Sequence, residues 1–458
     1  MRTLLLILPI FALASCSVGP DYSAPQEKLE VSFKNAGFNS PPPVGDWWAS
    51  FRDPQLTALM QRAEDANPQA RAALARYDQA RAALGLTEAD RFPAVTGAAF
   101  TQRNRSSGST SQPQGGMTEN DFRAALNVSW EIDLWGRVRR SVTAARAQSS
   151  AASYDYQAAI TSLRGEIART YFSLRYADAE IKLLDETAAF RQEASRLMSL
   201  RSDAGDASRI DAQRAISEHE SVRTELARLR VRRGQLENAL GTLTGEGAST
   251  FTFAQGKISA VTPPAPSAVP SELLRRRPDL AAAERRLAFA SEAIGITVAN
   301  YLPTLNLVGI GGAQAVKSSD LYNSNSRLWT LGPELSVPIF QGGRYFSDRA
   351  QAEAAYREAL EKYREVLLRA VQEMEDSLIA SRELTSANAS SERGANAARL
   401  AAKLTRSRYE GGIASYFELV DAERTALAEE RAALSVRLDR ALAATRLVQA
   451  LGGGWVRQ

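Results

Sequence analysis

The chain has 458 residues, 44% hydrophobic and 24% charged, which is the balance of a folded protein with room for two or three ordinary domains. Its 56 basic and 52 acidic residues leave a formal net charge of +4, with no basic block long enough for a nucleic-acid surface, so no nucleic-acid partner is expected.

Residues 1–15 carry one early positive charge at Arg2, an apolar run from Leu4 to Leu13, and the small residues Ala14 and Ser15. That pattern is a secretory signal peptide, too short to span a bilayer as a mature helix. Cys16 follows it and is the single cysteine, so no internal disulfide is possible. Leu13-Ala14-Ser15-Cys16 resembles the bacterial lipoprotein processing site, whose cysteine becomes the lipid-modified first residue of the mature chain. Ser17 stands where an aspartate would signal inner-membrane retention in such lipoproteins, which favours delivery to the outer membrane.

Asn67-Pro68-Gln69-Ala70 then opens an alanine-rich helical run that ends at Arg91-Phe92-Pro93. The first proline suits an opening helical turn and the second stops the helix. A fainter strand from Val95 to Gln102 leads into a polar loop from Arg103 to Asn120. From Phe122 to Leu134 the even positions are Phe, Ala, Leu, Val, Trp, Ile and Leu, while the odd ones are Arg, Ala, Asn, Ser, Glu and Asp. This period-two alternation predicts a strand with one apolar face. At about 3.3 Å per residue and a tilt of about 40°, it reaches roughly 33 Å, enough to cross a bilayer core. A soluble hairpin with one wet face shares the pattern; the lipoprotein signal and the repeat described below favour the membrane.

A 3-4 spacing through Val138, Val142, Ala145, Ser149, Ala152, Tyr156, Ile160, Leu163, Ile167, Tyr171 and Leu174 predicts a helix from Arg137 to about Leu200. Its roughly 64 residues make a rod of about 96 Å, far longer than a globular core requires. Gly205-Asp206-Ala207-Ser208 turns the chain into a second helix from Ser208 to Leu240. A proline-rich stretch from Pro263 to Pro270 reads as a linker.

The same plan then repeats. Pro68 and Pro93 recur as Pro278 and Pro303, both 210 residues later, and Arg137 and Gly205 recur as Arg344 and Gly412, both 207 residues later. The second copy is predicted to run from a helix at Pro278–Asn300 through strands at Leu305–Ala313 and Trp329–Ile339 to a long helix and a final helix at Ser415–Leu451. Pro333 and Pro338 weaken its last strand. Four strands cannot close a barrel, and an open sheet edge in lipid would strand backbone groups at several kcal/mol each, so the barrel has to be shared between chains. The expected segments are 1–15 signal peptide, 16–62 lipidated N-terminus and equatorial segment, 63–241 first repeat, 242–272 equatorial linker, 273–451 second repeat and 452–458 tail.

The motifs Cys16-Ser17-Val18-Gly19-Pro20-Asp21-Tyr22, Trp47-Trp48 with Phe51-Arg52-Asp53-Pro54-Gln55-Leu56, and Leu274-Arg275-Arg276-Arg277-Pro278-Asp279-Leu280 followed by Tyr301-Leu302-Pro303 resemble the TolC-type outer membrane factors, in their NodT-like efflux lipoprotein branch. The resemblance covers essentially the whole mature chain. It implies a membrane α/β-barrel: a homotrimer whose four strands per chain form a shared twelve-strand transmembrane barrel, with a long periplasmic coiled-coil helical barrel and a small equatorial domain. It also implies an exit duct anchored in outer-membrane lipid, opened by a periplasmic adaptor and an inner-membrane pump of the resistance-nodulation-division type. In that family the duct narrows at its periplasmic turns. Glu418 and Asp421 fall on acidic gating positions of the second turn, Asp211 on one in the first, and Tyr409 on an aromatic of the closed-state network. Ala414 stands where an arginine would link subunits; Arg408, Arg209 and Arg424 are candidate substitutes. Each carboxylate taken singly also fits a solvated helix face.

No catalytic or cofactor motif emerges. His219, the single histidine, lies between Glu218 and Glu220 and reads as a surface helix position, and Gly452-Gly453-Gly454 reads as a helix stop. No cofactor, metal site or enzyme activity is expected. Two other readings stay open at this point: a channel for type I protein secretion and a non-transporting envelope scaffold.

Overall fold

A computed structural model describes residues 17–25, 33–34, 45–109, 116–257 and 276–454. The signal peptide, Cys16, the proline-rich linker at 263–270 and Trp455 lie outside the described residues. After a 3-10 turn at Trp47–Phe51, the elements in chain order are α1 (Pro54–Ala66), α2 (Pro68–Ala89), β1 (Ala94–Arg105), β2 (Thr118–Ile132), α3 (Arg137–Asp203), α4 (Arg209–Leu243), α5 (Pro278–Ala299), β3 (Thr304–Ala315), β4 (Arg327–Ser336), α6 (Arg344–Glu410) and α7 (Tyr416–Ala450). The repeat is thus present as two equal sets, with long helices of 67 residues each and return helices of 35 residues each. Among the described residues no helix is long and apolar enough to cross a membrane.

The chain divides into two compact units, the first comprising residues 1–26, 76–153 and 282–364. It holds one antiparallel sheet in the order β1-β2-β3-β4. The register aligns Val128 with Val95 and Gly309, so the apolar face of β2 continues onto its neighbours, while Asn127 aligns with Thr96 on one side and Ile310 on the other. One face carries Val95, Phe122, Leu126, Val128, Trp130, Leu305, Leu307, Leu331 and Leu335; the other is mostly polar, with Thr96, Gln102, Asn127, Ser129, Glu131, Asn306, Gln314 and Glu334 beside Phe100, Val308, Ile310 and Leu328.

Two strands end earlier than the alternation suggests. β2 stops at Ile132 instead of reaching Leu134, because Asp133 turns to cap α3, accepting from the backbone N–H of Val138 at 3.1 Å and of Arg139 at 2.9 Å. β4 stops at Ser336 instead of Ile339, ahead of Pro338. Pro333 remains within β4, as an edge strand allows. The polar loop is correspondingly shorter than 103–120, since β1 continues to Arg105 and β2 begins at Thr118.

The residues just after Cys16 are fixed to this unit. The Val18 N–H donates to Trp135 O at 3.1 Å, and buried Arg140 donates to Gly19 O at 3.2 Å, Pro20 O at 3.1 Å and the Glu292 carboxylate at 2.8 Å. The Tyr22 hydroxyl donates to Glu284 at 2.7 Å, and burial together with that carboxylate pushes the phenol well above its ordinary range.

The second unit comprises residues 27–75, 154–281 and 365–458. Its core gathers Trp47, Trp48, Phe51, Leu56 and Met60 against Ile167, Tyr171, Phe172 and Leu174 of α3, with Leu240 and Phe251. Phe51 and Phe172 lie 4.9 Å apart between ring centroids. Asp53 caps α1 through the N–H groups of Gln55 and Leu56 and also accepts from the Tyr171 hydroxyl at 2.5 Å, so one carboxylate starts a helix and ties it to the core.

A buried ionic knot lies beside this core. Arg175 is fully buried and donates to Asp178 at 2.7 Å, Ala254 O at 2.8 Å and Gln55 Oε1 at 2.5 Å, with its guanidinium 4.5 Å from the Phe253 ring. Asp178 also accepts from Arg233 at 3.0 Å and from the Gly256 N–H at 3.0 Å. At the start of α5, Arg277 grips Asp279 with two hydrogen bonds of 3.0 and 2.7 Å and pairs with Glu373 at 2.7 Å. That is the physical content of the Arg-Pro-Asp-Leu motif: proline opens the helix while the flanking charges anchor it.

Candidate functional site

Both long helices of the second unit end in the same way. At the first turn, Asp206 N–H donates to Arg201 O at 2.8 Å; at the second, Ile413 N–H donates to Arg408 O at 2.8 Å. These are matching closures of the helix C-terminus, and each needs a left-handed residue, supplied by Gly205 at φ 83° and Gly412 at φ 74°. The following helices start on serine caps. Ser208 accepts from the Ile210 N–H, and Ser415 accepts from the Glu418 N–H at 3.2 Å.

Glu418 is committed locally. Its carboxylate accepts from the Ser415 N–H and hydroxyl, both at 3.1 Å, which completes a capping box. The Ser415 backbone N–H, then its hydroxyl, hold the Glu418 carboxyl below the usual glutamate value, with Arg408 adding a positive charge. Its cap is therefore fully present above the ordinary glutamate pKa and lost as pH falls through the lowered folded value. Amide exchange at Ser415 and Glu418 should accelerate below that value after correction for intrinsic rates; a flat protection profile would show that the cap contributes nothing.

The two turns meet through Tyr409. Its hydroxyl accepts from Arg201 at 3.3 Å, and its ring lies 6.1 Å from that of Tyr416. Burial raises the Tyr416 phenol, with Tyr409, Glu218 and Asp211 adding to the effect. Asp211, the counterpart of Glu418 in the first repeat, sits 3.7 Å from Arg214. Asp421 is exposed and its carboxylate has no ion-pair partner among the described residues. Of the candidate substitute arginines, Arg424 lies 4.0 Å from Glu218 and Arg408 lies near Glu418, while Arg209 is exposed with no described ion pair.

The structure thus brings Tyr409 and Asp211 to one pair of turns, places Glu418 in a cap, and leaves Asp421 open to solvent. Sequence reasoning missed Arg201 as the partner of Tyr409, and Glu218 as a shared acceptor for Arg191 at 2.7 Å and for Arg424. Arg201 could have been found as the repeat counterpart of Arg408, 207 residues earlier.

A four-stranded sheet with one apolar face and two open edges, in a chain with paired long helices, is the form that a membrane-inserted duct shared between copies requires. The outer membrane efflux protein family matches residues 59–246 and 269–453, and the chain belongs to that family. It is 31% identical to outer membrane protein OprJ of Pseudomonas aeruginosa over 98% of this chain and 95% of that protein. It is 28% identical to the probable outer membrane lipoprotein SilC of Salmonella typhimurium, over 99% of each. The solved structure of the outer-membrane channel OprN superposes with a TM-score of 0.89 at 30% identity, covering 96% of this chain and 100% of that one. The protein is an outer-membrane efflux channel.

Proposed function

We propose that three copies of this chain close their sheets into one twelve-strand barrel and act as the passive exit duct of a tripartite pump. The observation that carries this reading is the sheet itself, which has two open edges, at β1 and β4, and one face whose middle is apolar. In lipid, open edges cost several kcal/mol per backbone group, so β1 of one copy pairs with β4 of the next. A periplasmic adaptor and an inner-membrane pump, of the resistance-nodulation-division type, open the duct at the helical turns. Efflux, not protein secretion, is the reading that family membership supports. Purified protein should conduct ions in a planar bilayer and sediment as a trimer; a monomer without conductance would overturn the proposal.

Lipid attachment belongs to Cys16. SilC, described as a probable lipoprotein, supports this, as does the fixing of Ser17–Tyr22 beside Trp135 and Arg140. Each buried methylene contributes about 0.8 kcal/mol to membrane attachment, while the barrel supplies its own apolar band. With a cleavable non-lipoprotein signal and Cys16→Ser, trimers should still insert. Recovery of soluble monomer alone would show that the anchor is required.

The gate comprises Asp211, Tyr409, Glu418 and Asp421. Threefold symmetry would gather nine carboxylates around the opening, three from each chain, which attract cations and bind a multivalent ion more tightly than a monovalent one. Asp421, open to solvent, is the residue best placed for that role, and the Tyr409–Arg201 contact holds the two turns of one chain together. Glu418→Ala with Asp421→Ala should weaken cation preference and relieve block by a trivalent ion applied from the periplasmic side. Single-channel recording at two salt concentrations checks this, because screening should shrink the difference at high salt. Unchanged selectivity and block would remove both residues from the gate.

A further inference from the structure

The register sorts the charges of the sheet between its two faces. All four strand carboxylates, Glu119, Asp121, Glu131 and Glu334, lie on the polar face together with Arg123. Arg103, Arg105 and Arg327 lie on the apolar face, in line with Phe122, Leu126 and Val128, and no carboxylate shares that face within the strands. The three arginines occupy the sheet end that carries the β1–β2 and β3–β4 loops, opposite the junctions with α2, α3, α5 and α6. Each is exposed, and none forms an ion pair with a described residue. Trp329, 80% exposed and two residues from Arg327, has the aromatic character of a membrane interface.

A guanidinium on a lipid-facing surface with no protein acid needs an acceptor from the lipid. Its planar fork matches a phosphate through paired hydrogen bonds, which a sugar hydroxyl or an ammonium group does not offer. Because β1 and β4 are the edge strands, closure of the barrel puts Arg103 and Arg105 of one copy on the strand adjoining the one that carries Arg327 of the next. We propose that Arg103, Arg105 and Arg327 form a basic rim at the outer end of the barrel that binds the phosphate groups of an anionic glycolipid in the outer leaflet. This rests on the outer-membrane channel reading above.

Native mass spectrometry of the purified full-length channel tests the rim with three probes: a bisphosphorylated lipid A-type glycolipid, its dephosphorylated counterpart, and inorganic phosphate. The wild type should retain the bisphosphorylated lipid in preference to the other two. R103Q/R105Q/R327Q should weaken retention by about fivefold for each arginine removed. R123Q, on the polar face, should leave retention unchanged. Equal retention by the wild type and the triple variant overturns the rim, as does displacement of the lipid by inorganic phosphate at comparable concentration. Should the triple variant fail to assemble, R327Q alone is read instead, with about fivefold weakening expected and none overturning the proposal. Conductance is recorded on the same samples: a wild type that does not conduct removes the channel reading, whereas conduction with unaltered lipid retention removes only the rim.

Discussion

Arg175→Ala should destabilise the protein by about 3 to 5 kcal/mol, the cost of opening a buried ion pair by removing one partner. Arg175 and Asp178 are both buried, and Arg175 also holds the Ala254 carbonyl and Gln55, so its loss leaves acceptors without donors in a closed site. Arg233 still reaches Asp178 at 3.0 Å, which keeps the loss near the lower end of that range. Arg175→Lys should recover only part of it, because a lysine ammonium does not reproduce the fork or the stacking over Phe253. Chemical denaturation of detergent-purified protein measures the effect, with limited proteolysis of the segment at Phe251–Gly256 as a local readout. A loss below about 1 kcal/mol would mean that the site relaxes or admits water, and that the knot is not what ties this segment down.

The polar and apolar faces of β2 should respond in opposite ways to the same substitution. Val128 lies near the middle of the apolar stretch Phe122–Ile132, between Val95 and Gly309, so Val128→Arg should cost about 2 to 4 kcal/mol against lipid. Asn127, one residue earlier, lies on the opposite face beside Thr96, the face expected toward the lumen, and should accept arginine with little loss of assembly. Heat resistance of the trimer on gels and recovery from the outer-membrane fraction report the difference. Equal loss in the two variants would mean that the orientation assigned to the sheet is wrong.

The sequence by itself determined what depends on near neighbours along the chain. Alternation at Phe122–Ile132 exposes one strand face, prolines at 68 and 278 open helices, and glycines at 205 and 412 permit the left-handed residue that each turn requires. Each of these is a rule of local geometry, and the repeat states it twice. Where local rules compete, the alternation overran: Asp133 fits the strand pattern yet serves as a helix cap, so β2 ends before it.

Tertiary structure alone decided which distant groups meet. Among so many arginines, no local pattern marks Arg175 as the one fully buried beside Asp178, or Arg201 as the donor to Tyr409, 208 residues away. Local geometry, by contrast, separates two carboxylates that the family resemblance treats alike. Glu418 stands three residues after Ser415 and folds back onto the cap, whereas Asp421, one helical turn further on, is out of reach of Ser415 and stays open to solvent. The register, too, is tertiary: pairing β2 with β3 joins strands from the two repeats, and with the β3–β4 pairing it puts Glu334 on the face where Glu119, Asp121 and Glu131 already lie. Alternation is fixed by backbone geometry at each residue, but which strand lies alongside is settled by long-range packing and backbone hydrogen bonding.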